Sequence, residues 1–405
     1  MTKIKQSWNN KAKTLLMNGK PVGNNENLAE ILRRENIQVF HNDMNQRIEI
    51  RSLDPNHEIN ELDGLNSLNN KITFITNRAI EYQYPVSRVR DNLFLLAENY
   101  HPVITWINGQ DWDGTYRFDQ LFNALNVQGN DLEVDLAMKQ FRVWCNRAVK
   151  GAFTKDGYPS EYVLCLKGDQ GAGKTRFIRS LAPSEFIKTG IQLDPKNKDS
   201  ILTANSAWII ELGEFDAITR KNDHAVLKAY LSQDHDYVRK PYAVVEDKIP
   251  RRTIFAATVN SGNFLMDETG NRRYFILEIG ETNPNHGIDM QQFWAEIYFT
   301  MHANELFWLD KKDSEFQQSV NEKFRQIDPI EEMIFKAIAD QTMPNEISNN
   351  DALEHIGIEK PHSGQSRIAN NSFLKAGWEK VSQGSNRYVW KNPKPYKLND
   401  PYYFN

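Results

Sequence analysis

The stretch Gly168-Asp169-Gln170-Gly171-Ala172-Gly173-Lys174-Thr175 constrains this chain more than any other, because it spells G-x-x-x-x-G-K-[ST]. Each residue type answers a physical demand. Glycines at 168, 171 and 173 let the backbone turn tightly enough to aim several N–H groups at one phosphate chain. Lys174 brings a positive point charge to the β- and γ-phosphates of ATP, and the Thr175 hydroxyl is a ligand for Mg²⁺. Context supports the motif. The apolar run 162–166 before it predicts a buried strand, and Phe177, Ile178 and Leu181 after it recur at helical spacing. Strand, glycine loop and helix predict an α/β nucleotide-binding core, against the alternative of a glycine-rich turn with a chance lysine.

Two later apolar runs end in polar groups, as core strands of such a sheet should. Trp208-Ile209-Ile210-Glu211-Leu212-Gly213-Glu214 delivers two acids. Glu211 is placed to hold Mg²⁺ through water, and Glu214 to orient or deprotonate an attacking water. Solvated strand-end charges are the alternative for both. Thr253 to Asn260 is another buried strand. An amide at its tip, Asn260, holds the attacking water or merely caps the next turn. Arg272 and Arg273 follow a glycine turn and are placed to reach a phosphate of the same or a neighbouring subunit, or to make a surface salt bridge.

A 405-residue chain predicts two or three domains, and 40% hydrophobic with 25% charged residues is the composition of a soluble globular protein. No apolar run approaches the roughly 20 residues needed to span a bilayer, and the N-terminus has no secretory core. Cys145 and Cys165 both sit in apolar settings and predict buried free thiols. A cytoplasmic location and no membrane partner follow as expectations. A net charge of −4 does not itself announce nucleic-acid binding, so that case rests on local patches.

One patch is a predicted β-hairpin turning at Glu246-Asp247, with Arg239, Lys240, Lys248, Arg251 and Arg252 at its edge and base as candidate DNA contacts. The first hundred residues predict an amphipathic helix over 28–34, a hairpin turning at Asp43-Met44-Asn45 and a polar loop over 66–70. They contain no paired carboxylates of the kind a polymerase or primase uses for two metals. A long helix is predicted from Asp131 through Ala148, and His101 and nearby tryptophans are assigned to packing. In the tail, helices over 350–358 and 365–376 followed by strands around Gln383 to Asn386 give the outline of a winged helix. Between Lys360 and Lys397 stand eight Lys/Arg and one acid, an excess suited to a phosphate backbone or to protein docking.

Taken together, these motifs resemble those of the virulence-associated E family, AAA+-type ATPases related to the superfamily 3 replicative helicases of phages and mobile elements. The resemblance covers roughly 100–278, with a looser match in the tail. It is carried by His101-Pro102-Val103, Trp112-Asp113-Gly114, the Gly168–Thr175 loop, Trp208 to Glu214, Arg239 to Tyr242, Thr258-Val259-Asn260 and Thr269 to Tyr274. It implies that Lys174 and Thr175 bind ATP·Mg²⁺, that Glu211 and Glu214 are the acids of the site, and that Asn260 is a sensor. It also implies an arginine finger at Arg272 or Arg273 and a homo-hexameric ring in a bacterial host cell. The hairpin near Lys248 would face a channel threaded by single-stranded DNA. Relatives often carry a primase-polymerase domain upstream; here that activity would come from a separate primase.

The domain plan expected is an N-terminal accessory α+β region over 1–99, a helical collar over 100–150 and the ATPase core over 151–285. A helical connector over 286–330 and a winged-helix-like domain over 331–405 complete it. The expected function is an ATP-driven DNA helicase or translocase. The alternatives are an ATP-gated origin-binding scaffold without unwinding, and an ATPase acting in defence or virulence.

Overall fold

A computed structural model describes residues 6–9, 14–17, 20–64, 66–194, 196–213, 215, 221–238, 246–260, 264–265, 271–304, 306–325, 327–384 and 388–393. The chain divides into two compact units. The first comprises Met1–Ser261 and Thr269–Asn321, the second Gly262–Glu268 and Glu322–Asn405.

The first unit opens with short strands β1 (Gln6–Asn9), β2 (Thr14–Met17) and β3 (Lys20–Pro21), then α1 (Asn25–Arg34), capped by the Asn24 side chain. Strands β4 (Gln38–Asn42) and β5 (Arg47–Arg51) form the expected hairpin. Helices α2 (Glu58–Glu61), α3 (Ser67–Glu81) and α4 (Val89–Leu96) follow, and β6 (Glu98–Tyr100) pairs parallel to β4. The polar segment expected as loop over 66–70 is instead the first turn of α3. Its burial begins only at Lys71 and Ile75, so the apolar period starts one turn too late to mark the helix start. Leu28, Ile31, Val39, Ile50, Ile75 and Leu93 give this region its own core.

Next come α5 (Pro102–Ile107), α6 (Phe118–Ala124) and α7 (Asp131–Phe153), the last opened by an Asn130/Glu133 capping box. Then follow β7 (Val163–Lys167), α8 (Lys174–Arg179), β8 (Ile187–Ile191), α9 (Lys198–Ala204), β9 (Ile209–Leu212) and α10 (Lys221–Leu231). The unit continues through β10 (His235–Val238), β11 (Asp247–Pro250), β12 (Ile254–Val259), β13 (Tyr274–Glu278), α11 (Met290–Asn304) and α12 (Lys311–Glu322).

Strands β13-β7-β12-β9-β8 lie in that order in one sheet, every neighbouring pair parallel. Such a sheet is buried on both faces, which is why its strands are nearly continuous apolar runs. Three fully buried tryptophans act through their indole N–H groups, two joining α7 to the sheet and the third joining α11 to the turn after α8. Trp144 donates to Phe255 O at 2.8 Å, Trp208 to Ala148 O at 2.9 Å and Trp294 to Leu181 O at 2.6 Å. Cys145 and Cys165 are buried free thiols, and burial pushes both thiol pKa values up.

The second unit contains α13 (Pro329–Ala339), β14 (Glu346–Ile347), α14 (Asn349–His355), α15 (Ser363–Lys375), β15 (Glu379–Ser382) and β16 (Tyr388–Lys391). Its sheet runs β14-β16-β15, antiparallel throughout. Phe373 packs between Trp378 and Trp390 at ring-centroid distances of 5.0 and 5.6 Å. Helix α13 and strand β14 have no counterpart in the sequence reading.

His101 behaves as a packing residue. It is 6% exposed, caps α5 by accepting from Ile104 N at 3.4 Å, and burial together with the Arg252 charge pushes its pKa down to about 3. Since the folded value lies below the unfolded one, the unfolded chain binds more protons between about pH 3 and 6.5. Stability from this residue is therefore complete above about pH 6.5 and is lost as pH falls, at most about 1.4 kcal/mol per pH unit. Urea denaturation of His101→Asn, which retains a capping side chain, should show a shallower loss from pH 6.5 to 4 than the native chain; equal slopes would contradict this.

Candidate functional site

The loop after β7 turns at the carboxyl ends of the sheet strands, where open α/β sheets bind ligands. Its backbone needs glycine at Gly173, where φ is +83° and a Cβ would stand 2.5 Å from Thr282 Oγ1. That threonine clasps the loop from outside: its hydroxyl and its N–H both donate to Ala172 O, at 2.8 and 2.9 Å.

Lys174, 7% exposed, donates through Nζ to Gly168 O at 2.6 Å, Asp169 O at 2.7 Å and Asn260 Oδ1 at 2.8 Å. The last bond runs from the start of α8, after the β7 loop, to the residue just past β12, the neighbour of β7 in the sheet, and joins two residues singled out separately in the sequence. Glu211 lies on the next strand, β9, and is 2% exposed. Its Oε1 accepts from Thr258 Oγ1 at 2.6 Å and its Oε2 from Gly190 N at 2.7 Å, so the carboxylate is held from both sides. Thr175 is half-buried at the start of α8.

Asp169, Gln170, Gly171 and Ala172 complete the loop, and Gly171 also has a positive φ of +92° with open space around it. Glu214, Arg239 and Lys240 lie outside the described residues. Among those described, no group of three or more His, Cys, Asp or Glu side chains could hold a metal ion. The donor set fits an ion held mainly by phosphate oxygens, with Thr175 and a water-linked Glu211 as the protein's share.

Arg272 and Arg273 are at the other end of the sheet. Tyr274, the first residue of β13, pairs with Val163, the first of β7, whereas the loop follows the last. A five-residue strand spans about 16 Å. Arg273 is half-buried and donates to Ser232 Oγ at 2.9 Å, while Arg272 is exposed.

The basic hairpin differs from expectation. Glu246-Asp247 is not its turn: Asp247 already belongs to β11, whose partner is β10, with Val238 opposite Asp247 and Tyr237 opposite Lys248. Lys248 is exposed, beside a Tyr237 that is 65% exposed. Arg251 and Arg252 must be withdrawn from the DNA candidates, because both are interior. Arg251 is 1% exposed and grips Asp236 with two bonds of 2.6 Å, over the Tyr230 ring at 3.5 Å. Arg252 is 6% exposed and donates to Lys155 O at 3.1 Å, and burial lowers its pKa. Sequence reasoning missed Gly190 and Thr282, and it named Thr258 only as part of the Thr258-Val259-Asn260 motif without its role in holding Glu211. Thr258 had a signal, a hydroxyl inside an otherwise apolar strand; the other two are joined to the site only by tertiary folding.

The chain belongs to the virulence-associated protein E-like family, whose domain model matches residues 107–326, more than half of its length. No curated protein sequence matches it. Among solved structures it is similar to the apo structure of the NrS-1 C terminal region (305–718), at 13% identity, covering 90% of this chain and 97% of that one with a TM-score of 0.41. It is also similar to the A form apo structure of that region, at 12% identity, 90% and 98% coverage and a TM-score of 0.41.

Two stability measurements test this geometry. Asp236→Ala leaves Arg251 buried without its carboxylate and should cost about 3–5 kcal/mol in chemical denaturation, whereas replacing both by Asp236→Leu and Arg251→Met should restore only part of it, because buried Asn205 also donates to Asp236 and loses that acceptor. Gly173→Ala should cost about 1–2 kcal/mol from its backbone angle alone, so that adding Thr282→Ala relieves only part of the loss. Full recovery in that double variant would make the steric contact, not φ, the constraint.

Proposed function

We propose that this protein is a Mg²⁺-dependent ATPase of the AAA+ type, working as a ring of identical subunits that moves on DNA as the replicative helicase of a phage or mobile element. The observation that carries this reading is the convergence of Lys174, Asn260 and Glu211 at the carboxyl ends of three adjacent strands. The insertion of β12 between the loop strand and the acid strand supports the AAA+-type assignment. The order of the second unit, helix, strand, helix, helix, hairpin, supports a winged-helix reading.

In this proposal the loop N–H groups and Lys174 bind the phosphates, and Lys174 turns from Asn260 toward the β/γ bridge as ATP enters. Asn260 is then free to hold the attacking water. Glu211, fixed by Thr258 and Gly190, keeps one orientation throughout, and Glu214 is the general base. Thr175 and Glu211 are the residues that would hold a Mg²⁺ ion, which would supply positive charge against the phosphate oxygens. The arginine that completes the site comes from a neighbouring copy. Arg272 is the better placed, since it is exposed while Arg273 is engaged by Ser232. Lys248 and Tyr237, side by side on the hairpin, offer a cation and a stacking ring to single-stranded DNA, while Arg239 and Lys240 remain candidates from the sequence alone.

ATPase rate measured against protein concentration, with single-stranded DNA of increasing length, tests the proposal. Specific activity should rise on assembly and again with strand length. Lys174→Ala should abolish nucleotide binding. Arg272→Ala should bind ATP yet hydrolyse on the order of 10³-fold more slowly, and should poison mixed assemblies. A rate indifferent to concentration and DNA would overturn the translocase reading. Stimulation by one duplex sequence, and never by single strands, would favour the ATP-gated scaffold.

A further inference from the structure

Both ends of the phosphate loop are backed by one strap, residues 279–283, which leaves the end of β13. At the near end Ile279 N donates to Lys167 O at 2.8 Å, and Lys167 Nζ pairs with Glu278. A Cβ on Gly168 would stand 2.6 Å from Ile279 O. At the far end Thr282 lies against Gly173 and gives Ala172 O both its hydroxyl and its N–H. The strap is also tied to residues 124–128, where α6 gives way to α7. Gln128 N donates to Glu278 O at 2.8 Å, Gly280 N to Asn126 O at 2.9 Å and Asn283 N to Ala124 O at 2.8 Å, while Asn126 Nδ2 reaches Glu281 O at 3.1 Å. Thr282 is thus presented to the loop by a backbone fixed on either side of it.

That double bond to one carbonyl has a consequence on the other side of the peptide. Two donors occupy both lone pairs of Ala172 O and so fix the plane of the Ala172–Gly173 peptide. A trans peptide carries its N–H antiparallel to its C=O, so the Gly173 N–H points away from Thr282. It faces the loop's open side, where a Cβ on Gly171 would meet nothing within 4 Å. The glycines at 171 and 173 that allow so tight a turn also leave this peptide free to rotate. Half a turn would set a carbonyl oxygen against an anion where an N–H should be. A hold from outside the loop is therefore needed, and Thr282, at 6% exposure, supplies one that water cannot easily replace.

We propose that Thr282 is a positioning residue for nucleotide binding: by clamping Ala172 O it keeps the Gly173 N–H aimed at the polyphosphate of the ligand. The inference rests on the ATP-binding reading of the loop and adds to it a residue that itself touches no phosphate. Its hydroxyl acts on affinity, through the shape of the loop, and not on the chemical step, whose groups Lys174, Asn260 and Glu211 it does not contact.

The test uses the full chain, with ATP and ADP displacing a fluorescent ATP analogue, followed by steady-state ATPase kinetics. Thr282→Val keeps the shape of the side chain and removes only the donor. It should raise the dissociation constants of ATP and ADP and the KM for ATP together, each about 5- to 10-fold, with kcat held within about twofold. Thr282→Ser restores the hydroxyl and should bring all three constants back to within about twofold of the native values. A hydroxyl that served folding alone would lower the active fraction, and with it kcat, at unchanged KM; that result overturns the proposal, as does a valine variant that binds both nucleotides like the native chain. Thr282→Ala loses the same donor and repeats the measurement if urea denaturation shows the valine variant to be unfolded. A native chain that binds neither ATP nor ADP would sink the ATPase reading itself, which separates that failure from a failure of the clamp.

Discussion

A buried ammonium group organises the first unit. At 7% exposure Lys174 has lost most of its water, and such a charge is tolerated only where oxygen atoms replace the lost hydration. Gly168 O, Asp169 O and Asn260 Oδ1 supply them, the last from a residue 86 positions beyond Lys174 in the chain. That arrangement requires β12 to lie directly beside β7, and it requires the loop to turn back over its own strand. The same adjacency puts β9 on the far side of β12, where Thr258 reaches across to fix Glu211. Sheet order, loop conformation and acid orientation are thus one constraint met three times.

How much of this was legible in the sequence depends on whether a residue's role is set locally. The loop, the apolar strands and the helix from Asp131 are local patterns, and the structure has them with boundaries shifted by a few residues; α7 continues to Phe153, past its last regular apolar step. The two arginines at 251 and 252 show where local reading fails. Their neighbours in sequence, Lys248 and Pro250, look like a basic surface edge, yet Arg251 faces Asp236 across the hairpin. A buried, bidentate pair and an exposed phosphate contact have the same sequence signature until the partner strand is known. The register error at Glu246-Asp247 has the same origin: the true partner strand, β10, lies before the basic cluster instead of within it.

Burial also separates two kinds of arginine at the foot of the sheet. Arg147 is 1% exposed and spends its donors on Ser160 O, Pro159 O and Phe307 O, cementing α7 to the loops around it. Arg272, on the short turn before β13, has an exposed side chain. The interior arginines hold layers together and have no freedom left for a ligand. Only a solvent-facing one can serve a site elsewhere.

The position of that exposed arginine bears on assembly. Residues at the start of β13 and a loop at the end of β7 sit at opposite ends of parallel neighbours, about 16 Å apart along the strands. An arginine side chain cannot cover that span around a packed sheet. On the proposed reading, then, a single copy holds phosphate, acid and sensor but not the cation that stabilises charge in the transition state, and its own arginine is useful only to another copy. Hydrolysis becomes conditional on contact between subunits. That conditionality is what a motor needs, because it ties each chemical step to the geometry of a neighbour.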